Sequence, residues 1–597
     1  MAEEEKPTAE EQAPPEVVSE EQPAEPKQPA DRPKPTGGWR EKLHRLKNRY
    51  TEHKKWTIPA SVLVLALILA AIPFTRYTLA SAAHKRNLEV QVLDSTAGTP
   101  VSGATVSIGS VTAQTAATGA AVLNNVGLGN QKVTVSKKYY TTRTQTVLSP
   151  IFKQKTVPKI QLAATGRQVK ISVNNLVSKK ALANVNIAVA GISAKTDQNG
   201  SALIVLPAGT TSEKAKLSLQ NYIDSDVTVK VSNDKIQENS YSLTPAGKVY
   251  FLSKLSGKID VVKTNLDGTD RQTVLAGTGS EQDTGTVLLA SRDWKYLALL
   301  SRRAGSSASL YLINTTDDSL TTMDEGDADF SLNGWVGDDF VYTVTRNGTQ
   351  LWQSNRQALK SYDAQAKKVS VLDQTTASGS GSFDYISQLI GGVYGYDDQV
   401  FYIMNWTSSY GGASAAGLAS KQATLNSIKP DGSAKKAIKS FGLASGTSAL
   451  DVTLNEQVES PNQINLEFSD GNQDNFYAYA NGQVKSLPNE TSDSFYGANY
   501  STYLQSPSGD STFWSESRDG KNTLFIGDGE GQNAKQIATL SDYNTFGWYT
   551  DDYLLVSKNS SELYIMPKGG SQNPIKISDY HKPQLTYPGY GGGYGGI

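Results

Sequence analysis

Apolar and polar residues alternate along much of the chain after residue 87. The clearest alternating stretches are Leu88–Leu93, Ala104–Ile108 and Lys132–Ser136, with Gly, Pro and Asn residues between them. Successive side chains of a β-strand point to opposite faces of a sheet, so alternation with a period of two predicts half-buried strands. The pattern therefore predicts an all-β region in which turns join short strands.

The alternating pattern occurs twice. Val101–Ile108 aligns without a gap on Leu182–Val189, and Thr115 matches Thr196 at the same offset along the chain. A repeat of this kind predicts two copies of one β-sandwich of about 80 residues each.

A longer repeat occupies residues 246–584. Seven apolar strands recur there, each followed by a partner strand and, in most repeats, by a turn rich in Asp, Asn or Gly. The apolar strands are Val249–Leu252, Tyr296–Leu300, Phe340–Val344, Val400–Met404, Ile464–Phe468, Ser511–Trp514 and Tyr553–Val556. Hairpins repeated every 40–60 residues or so are typical of radially packed blades. This predicts a β-propeller of about seven blades, with six or eight as the alternatives.

An uncharged apolar run, Ile58–Phe74, lies between Trp56 and Tyr77 near the N-terminus. Its 17 residues would cover about 26 Å as a helix, close to the ~30 Å hydrocarbon core of a membrane. This predicts a transmembrane helix over residues 56–77. A buried core helix would need globular sequence before it, and a cleaved signal peptide would need a much shorter leading segment.

Charge changes sign on the N-terminal side of that run. Residues 1–38 carry ten acidic and four basic residues among many prolines, which predicts disorder. Residues 39–55 carry seven basic and two acidic residues, and bases beside a span mark its cytoplasmic side. We therefore expect the tail in the cytoplasm and the β-rich bulk outside the cell membrane. The predicted membrane topology already accounts for these basic residues, so no nucleic-acid partner is expected.

Composition excludes several chemistries. The chain has no cysteine and four histidines, of which only His581 lies beyond residue 84. Thiol nucleophiles, two-histidine zinc sites and Ser-His-Asp triads are therefore not expected in the β-rich part. An exported region without cysteine fits a prokaryotic envelope that does not depend on disulfides.

Two families are similar to this chain in short motifs. Pro100–Val106, Ala194–Leu203 and Lys138–Tyr140 resemble the strand, turn and late tyrosine of carboxypeptidase regulatory-like domains, although Ala116–Thr118 departs from the turn motif in the first copy. That resemblance implies transthyretin-like, seven-stranded sandwiches of the kind found as surface spacers. Ser506–Trp514, followed by a second Asp-Gly turn, resembles the repeat of TolB-type propellers, which implies a fold and no particular activity.

Candidate chemistry in the predicted propeller is limited. Asp324–Asp327 and Asp338–Asp339 are acidic, but glycoside hydrolysis needs two carboxylates that face each other across a site. Asn265–Asp270 and Asp470–Asp474 contain calcium-compatible oxygens, yet they lack the spacing of an EF-hand and fit tight turns better. No catalytic, cofactor-binding or metal-ligating residue is predicted, and no cofactor is expected.

Two loops rich in aromatic and small residues are the candidates for contact with a partner. They are Trp406–Gly412 and Ser494–Tyr500. Aromatic side chains bring large rigid areas to a binding surface, whereas the alternative is that these are ordinary exposed loop tips.

The sequence thus predicts a non-enzymatic, single-pass membrane protein that displays a propeller on a sandwich stalk for binding or adhesion. The alternatives are a carboxylate-dependent glycan hydrolase and an envelope scaffold or sensor. Expected partners are the lipid bilayer, through residues 56–77, and a protein or glycan on the propeller. The predicted divisions are a disordered tail (1–38), a basic segment (39–55), a transmembrane helix (56–77), sandwiches (87–164 and 165–245), a propeller (246–584) and a Gly/Tyr tail (585–597).

Overall fold

The computed structural model describes most of the chain beyond residue 84 and one segment before it. The described residues are 54–71, 85–150, 156–232, 235–381, 384–396, 398–408, 422–442, 452–460, 463–470, 473–492, 495, 504–518, 521–529, 531–537, 542–570 and 572–581. The predicted disordered tail, nearly all of the basic segment and the Gly/Tyr tail lie outside these residues.

One helix, α1 (Lys54–Ala71), covers most of the predicted span. Its apolar side chains are exposed, for example Val62 at 60%, Leu63 at 63% and Leu67 at 61%. Among the described residues, no helix combines the length and apolar character needed to cross a membrane. Residues 72–77 of the predicted span lie outside the described part.

The first repeat has seven strands in two sheets. Their order is β4-β1-β7 in one sheet and β3-β2-β5-β6 in the other. The strands are β1 (Arg86–Asp94), β2 (Thr105–Ile108), β3 (Val111–Gln114), β4 (Ala120–Val126), β5 (Gly129–Ser136), β6 (Arg143–Ser149) and β7 (Lys159–Leu162). Alternate side chains from both sheets, such as Val90, Val106 and Val135, form one apolar core.

The second repeat has the same topology seven strands later. Its sheets run β11-β8-β14 and β10-β9-β12-β13. The strands are β8 (Arg167–Asn175), β9 (Asn186–Val189), β10 (Ile192–Lys195), β11 (Ser201–Leu206), β12 (Ser212–Ser218), β13 (Ser225–Lys230) and β14 (Gln237–Leu243). We call the two repeats together the stalk.

Hydrogen bonds repeat with the same offset as the sequence. Thr115 Oγ1 donates to the carbonyl of Val101 and accepts from the N–H of Ala104, at 2.7 and 2.8 Å. Thr196 Oγ1 donates to the carbonyl of Leu182 and accepts from the N–H of Val185, at 2.6 and 2.9 Å. Leu182, Val185 and Thr196 follow Val101, Ala104 and Thr115 at one constant offset along the chain. Residues aligned in the sequence therefore occupy equivalent positions in the two sandwiches.

Seven consecutive antiparallel sheets come next, which we number ring sheets 1 to 7. Sheet 1 has three described strands, sheet 4 has five, and the others have four. The strands of sheet 1 are β15 (Lys248–Ser253), β16 (Asp260–Asn265) and β17 (Gln272–Leu275), and those of sheet 2 are β18 (Val287–Ala290), β19 (Tyr296–Ser301), β20 (Ser309–Asn314) and β21 (Ser319–Asp324). Sheet 3 has β22 (Ala328–Val336), β23 (Asp339–Arg346), β24 (Gln357–Asp363) and β25 (Lys368–Gln374), and sheet 4 has β26 (Ala377–Gly381), β27 (Asp384–Tyr396), β28 (Gln399–Ser408), β29 (Gln422–Ile428) and β30 (Lys436–Gly442). Sheet 5 has β31 (Thr453–Ser460), β32 (Gln463–Ser469), β33 (Asp474–Ala480) and β34 (Gln483–Ser486); sheet 6 has β35 (Leu504–Gln505), β36 (Ser511–Arg518), β37 (Lys521–Asp528) and β38 (Lys535–Gln536); and sheet 7 has β39 (Tyr543–Thr550), β40 (Tyr553–Lys558), β41 (Glu562–Pro567) and β42 (Ile575–Asp579).

The seven sheets follow one another along the chain as the blades of a β-propeller do. Shared apolar clusters join sheets 1 and 2, 2 and 3, 3 and 4, 4 and 5, and 6 and 7. A further cluster joins sheet 7 to sheet 1 and contains Phe251 and Ile577. At the same boundary Arg271 donates to Ser578 Oγ at 2.6 Å. The ring predicted from the repeated hairpins is therefore confirmed as a β-propeller-like fold.

Side chains connect each repeat of the stalk to the next module along the chain. In the first repeat, Asp94 Oδ2 accepts from Gln168 Nε2 of the second repeat at 2.6 Å. In the second repeat, Asn175 Nδ2 donates to the hydroxyl of Tyr553 in ring sheet 7 at 2.6 Å. Asp94 is the last residue of β1 and Asn175 the last residue of β8, its counterpart in the second repeat. The same repeat position therefore supplies both connections.

Candidate functional site

A cleft of about 450 Å³ lies between the two repeats, and residues of both line it. We call it the repeat cleft. Lys137 and Lys138 reach it from the connection that follows β5, and Lys195 reaches it from the last position of β10. Thr105 and Ser136 line the same space. The lining is therefore polar and cationic.

Hydrogen bonds between the repeats fix the walls of the repeat cleft. The backbone N–H of Lys195 donates to Ser102 Oγ at 3.1 Å. The ammonium of Lys138 donates to the carbonyl of Ala190 at 3.0 Å, and the ammonium of Lys137 donates to the carbonyl of Ser102. Two of these bonds cross from one repeat to the other, so they connect the two walls of the cleft.

The charged side chains that line the repeat cleft are all lysines. No Asp or Glu lines it, and none of its three lysines forms an ion pair within the described part of the chain. Lys137 Nζ lies 5.9 Å from the ring centre of Tyr140, a weak cation–π contact. Burial disfavours the charged form and lowers the pKa of Lys137 to about 8. At neutral pH the ammonium is mostly charged yet partly dehydrated.

Another cationic side chain connects two ring sheets that do not follow each other in the chain. Arg292, in the turn between β18 and β19 of sheet 2, donates to Gln505 Oε1 of sheet 6 at 3.2 Å. Burial lowers the pKa of Arg292, while Tyr394 and Asp398 of sheet 4 act in the opposite direction. The Arg292 guanidinium therefore links sheet 2 to sheet 6.

The acidic residues proposed for glycan hydrolysis have other contacts. Asp324 accepts from the Tyr342 hydroxyl at 2.9 Å and from Lys360 Nζ at 2.7 Å. Asp327 accepts from Asn347 Nδ2 at 2.9 Å. These two carboxylates therefore serve contacts within and between ring sheets 2 and 3.

Asp339 is the acid with a strongly raised pKa. Burial raises the pKa of Asp339 to about 6, and the negative charges of Asp363, Asp338 and Asp431 add to the effect. Asp339 and Asp363 are opposite each other on β23 and β24, the second and third strands of sheet 3. These two carboxylates therefore come from neighbouring strands of one sheet.

The first calcium candidate forms a turn, whereas residues 471 and 472 of the second lie outside the described part of the chain. Asp267 accepts from the N–H and the hydroxyl of Thr269 and from the hydroxyl of Thr244. Asp470 Oδ1 accepts from the N–H of Gln473 at 3.0 Å. Within the described residues, no group of three or more His, Cys, Asp or Glu side chains is placed to hold a metal ion.

The structure describes only parts of the two predicted contact loops. Trp406 belongs to β28 and pairs through its backbone with Val452, while residues 409–412 lie outside the described part. Phe495 is 1% exposed and packs on Phe476, with ring centres 4.8 Å apart. Phe495 is therefore a core residue, and its assignment to a contact surface was wrong. Residues 496–500 also lie outside the described part.

The sequence patterns did not reveal the repeat cleft or Arg292. Lys137 and Lys138 precede the motif residue Tyr140, and Lys195 precedes the repeated Thr196. Their positions next to repeated residues were the one available signal. Their convergence depends on how the two repeats meet, which the spacing alone does not encode.

Comparisons with known proteins find some similar solved structures and identify no family. No family model matches the chain, and no curated protein matches it. The β-propeller domain of the Trilobed protease from Pyrococcus furiosus is 12% identical, with a TM-score of 0.32 over 63% of this chain and 96% of that one. Pyrococcus horikoshii acylaminoacyl peptidase is 13% identical, with a TM-score of 0.32 over 62% of this chain and 51% of that one. A putative TolB from Agrobacterium tumefaciens is 16% identical, with a TM-score of 0.21 over 41% of this chain and 81% of that one.

Proposed function

We propose that this protein is a membrane-anchored, extracytoplasmic binding or adhesion protein that presents a propeller on a stiff stalk. The observation that carries the proposal is the pair of equivalent connections, Asp94 to Gln168 and Asn175 to Tyr553. A flexible linker would allow the propeller to reorient freely. Bonded joints instead hold it in a fixed direction, which suits a module that must meet a partner at a distance.

The junction between stalk and ring supports this role. Gly247 has a φ of +127°, and a Cβ added there would lie 1.7 Å from the hydroxyl oxygen of Tyr549. Val177 of the second repeat belongs to the apolar cluster that joins sheets 7 and 1. Thr244 donates to Asp267 Oδ2 of sheet 1 at 2.7 Å. Packing and hydrogen bonds both restrict motion at this junction.

The proposed anchor rests on the sequence around α1. The charge-free run Ile58–Phe74 follows a basic segment, and the helix leaves Val62 and Leu63 exposed. Exposed apolar side chains on a helix need an apolar partner, and a bilayer provides one. In this proposal residues 56–77 form a single span, the acidic tail is cytoplasmic and the stalk and ring are outside.

The proposed domain identities follow the motifs. The repeats would be carboxypeptidase regulatory-like sandwiches and the ring a TolB-like propeller. Asp197 supports the first assignment, because its Oδ1 accepts from the N–H groups of Asn199 and Ser201 at 2.9 Å, as the turn motif requires. The proposed ligand of the ring is a protein or a glycan, and the protein is proposed not to be an enzyme.

Protease shaving of intact cells tests the topology. The full chain would carry one epitope tag before residue 1 and one after residue 597. External protease should remove the C-terminal tag and leave the N-terminal one, and lysed cells should lose both. Loss of the N-terminal tag alone would overturn the proposed orientation.

A screen of the detergent-purified full chain against glycans and peptides then tests binding, and turnover of a glycan would favour the hydrolase alternative.

A deletion separates the scaffold or sensor alternative from simple display. Removing residues 2–38 should leave surface display and ligand binding unchanged if the tail has no partner. Loss of a co-purifying cytoplasmic protein on deletion, with display intact, would favour the scaffold or sensor.

A further inference from the structure

The repeat cleft combines features of a binding site that packing alone does not explain. Its volume of about 450 Å³ falls within the range of small-molecule sites, roughly 300–1,000 Å³. Three lysines converge on it, and no carboxylate is among its described lining residues. By contrast, the stalk's Lys170 and Lys216 pair with Glu238 and Asp224.

Lys137 is the residue whose surroundings most favour an anionic ligand in the cleft. A buried cation is normally paired, because removing an ammonium from water costs free energy that an opposite charge offsets. Lys137 is partly buried and donates to a backbone carbonyl, that of Ser102, while the exposed Lys138 and Lys195 also line the cleft. An anion in the cleft would offset the dehydration of the Lys137 ammonium.

The geometry is already organised for a ligand. The bonds Lys195 to Ser102 and Lys138 to Ala190 fix both walls before anything binds. Binding would therefore order few side chains, which reduces its entropic cost. Hydroxyl groups of Thr105 and Ser136 can donate to oxygen atoms of the ligand.

We infer that the repeat cleft binds a phosphate group, with Lys137, Lys138 and Lys195 as its cationic contacts. A phosphate monoester carries about −1.5 to −2 charge at neutral pH and offers three strong acceptor oxygens, which matches three ammonium groups better than a single carboxylate does. The phosphate is either free or part of a phosphate-bearing chain. This site is separate from the ligand proposed for the propeller.

Calorimetric titration of the detergent-purified full chain tests the inference, with inorganic phosphate, tripolyphosphate and citrate as probes. Phosphate should bind with a dissociation constant near or below about 1 mM. Tighter binding of tripolyphosphate would identify a phosphate-bearing chain as the source, and equal or weaker binding would identify free phosphate. Tighter binding of citrate than of either phosphate probe would overturn the assignment to phosphate.

Substitutions locate the site. Lys137→Met and Lys195→Glu should each weaken phosphate binding about tenfold or more. Lys195 is exposed, so Lys195→Glu tests the charge without disturbing the core if Lys137→Met fails to fold. Lys214→Gln, an exposed lysine of the second repeat outside the cleft, should bind as the parent does. Absence of phosphate binding by the parent up to about 10 mM, or an equal loss in Lys214→Gln, would refute the inference.

Discussion

Asn175 of the second repeat and Tyr553 of ring sheet 7 are joined by a hydrogen bond of 2.6 Å, although 378 residues separate them in the chain. The same Asn175 side chain also shapes its own turn, because its Oδ1 accepts from the N–H groups of Val177 and Ser178. Its amide group thus serves the local turn with one atom and the junction with the other.

The junction bond makes a first prediction. Tyr553→Phe should destabilise the contact between stalk and ring by about 1 kcal/mol, because Asn175 Nδ2 keeps its second acceptor, the Tyr222 hydroxyl, at 3.0 Å. Limited proteolysis should show faster cleavage at the junction near residues 244–247. Tyr564→Phe, a ring tyrosine in contact with Tyr543, is the control and should cleave at the parent rate.

The repeated threonines make a second prediction. Thr196→Val should lower the free energy of unfolding of the second repeat by about 2–3 kcal/mol, since it leaves the buried N–H of Val185 without its acceptor. Thr115→Val should cost a similar amount in the first repeat. Thr196→Ser keeps the hydroxyl and should cost less than about 1 kcal/mol. Thermal unfolding followed by circular dichroism measures both effects, and equal values for Val and Ser would contradict the hydrogen-bond account.

A third prediction concerns the carboxylate between sheets 2 and 3. Tyr342 and Lys360 are directly opposite each other on neighbouring strands, and both bind Asp324. Asp324→Ala should cost about 3–5 kcal/mol, because it leaves a largely buried lysine without its anion. Tyr342→Phe removes one hydrogen bond and should cost about 1.5–3 kcal/mol. Denaturant unfolding gives the comparison, and a larger loss for Tyr342→Phe would contradict it.

Related contacts occur at two further boundaries. Tyr250 and Lys263 of sheet 1 both bind Asp318 of sheet 2. Tyr402 and Lys435 of sheet 4 both bind Asp373 of sheet 3. A tyrosine, a lysine and an aspartate therefore join ring sheets in three places. The sequence did not reveal them because the three residues of each set come from two different sheets.

A fourth prediction is a pH dependence at Asp339. The pKa of this carboxyl is about 6 in the folded protein against 3.8 for an unperturbed group, so the folded state binds more protons between these values. The charge of Asp339 therefore opposes folding above pH 6, and its cost falls as the pH decreases towards 4.

Asp339→Asn should raise the stability of sheet 3 at pH 7.5 and have little effect near pH 4. Solvent screening at this half-exposed side chain limits the expected gain to about 1 kcal/mol. Melting curves across the pH range measure it. Asp329→Asn, an exposed residue of the same sheet, is the matched control and should show no comparable difference between the two pH values.

In ring sheets 2 to 7 the predicted strands lie inside the sheet, whereas in sheet 1 Val249–Leu252 lies in β15, an edge strand of the described sheet. Tyr296–Leu300 lies in β19 and Leu310–Ile313 in β20, the second and third strands of sheet 2. Both strands are buried on both faces, so they appear as continuous apolar runs. The fourth strand, β21, buries only Met323, and its short polar sequence gave no comparable signal.

Candidate surfaces were harder to predict than strands. The constant offset identified the two repeats, since matching positions such as Thr115 and Thr196 have the same local environment. It carried no information on how one repeat packs on the next. The repeat cleft depends on that packing, as does the connection from Asp94 to Gln168. Phe495 shows the reverse error, because a residue in an apparently loop-like stretch proved to be core.

Asp94 and Asn175 have a consequence for how such proteins change in length. Asp94 and Asn175 each belong to the repeat that precedes the module they contact. A duplicated repeat would therefore keep the side chain that bonds to the module after it. The reach of the stalk can therefore vary in whole steps of one repeat without a newly evolved joint. The distance between the ring and the far end of the stalk would then change by the length of one repeat at a time.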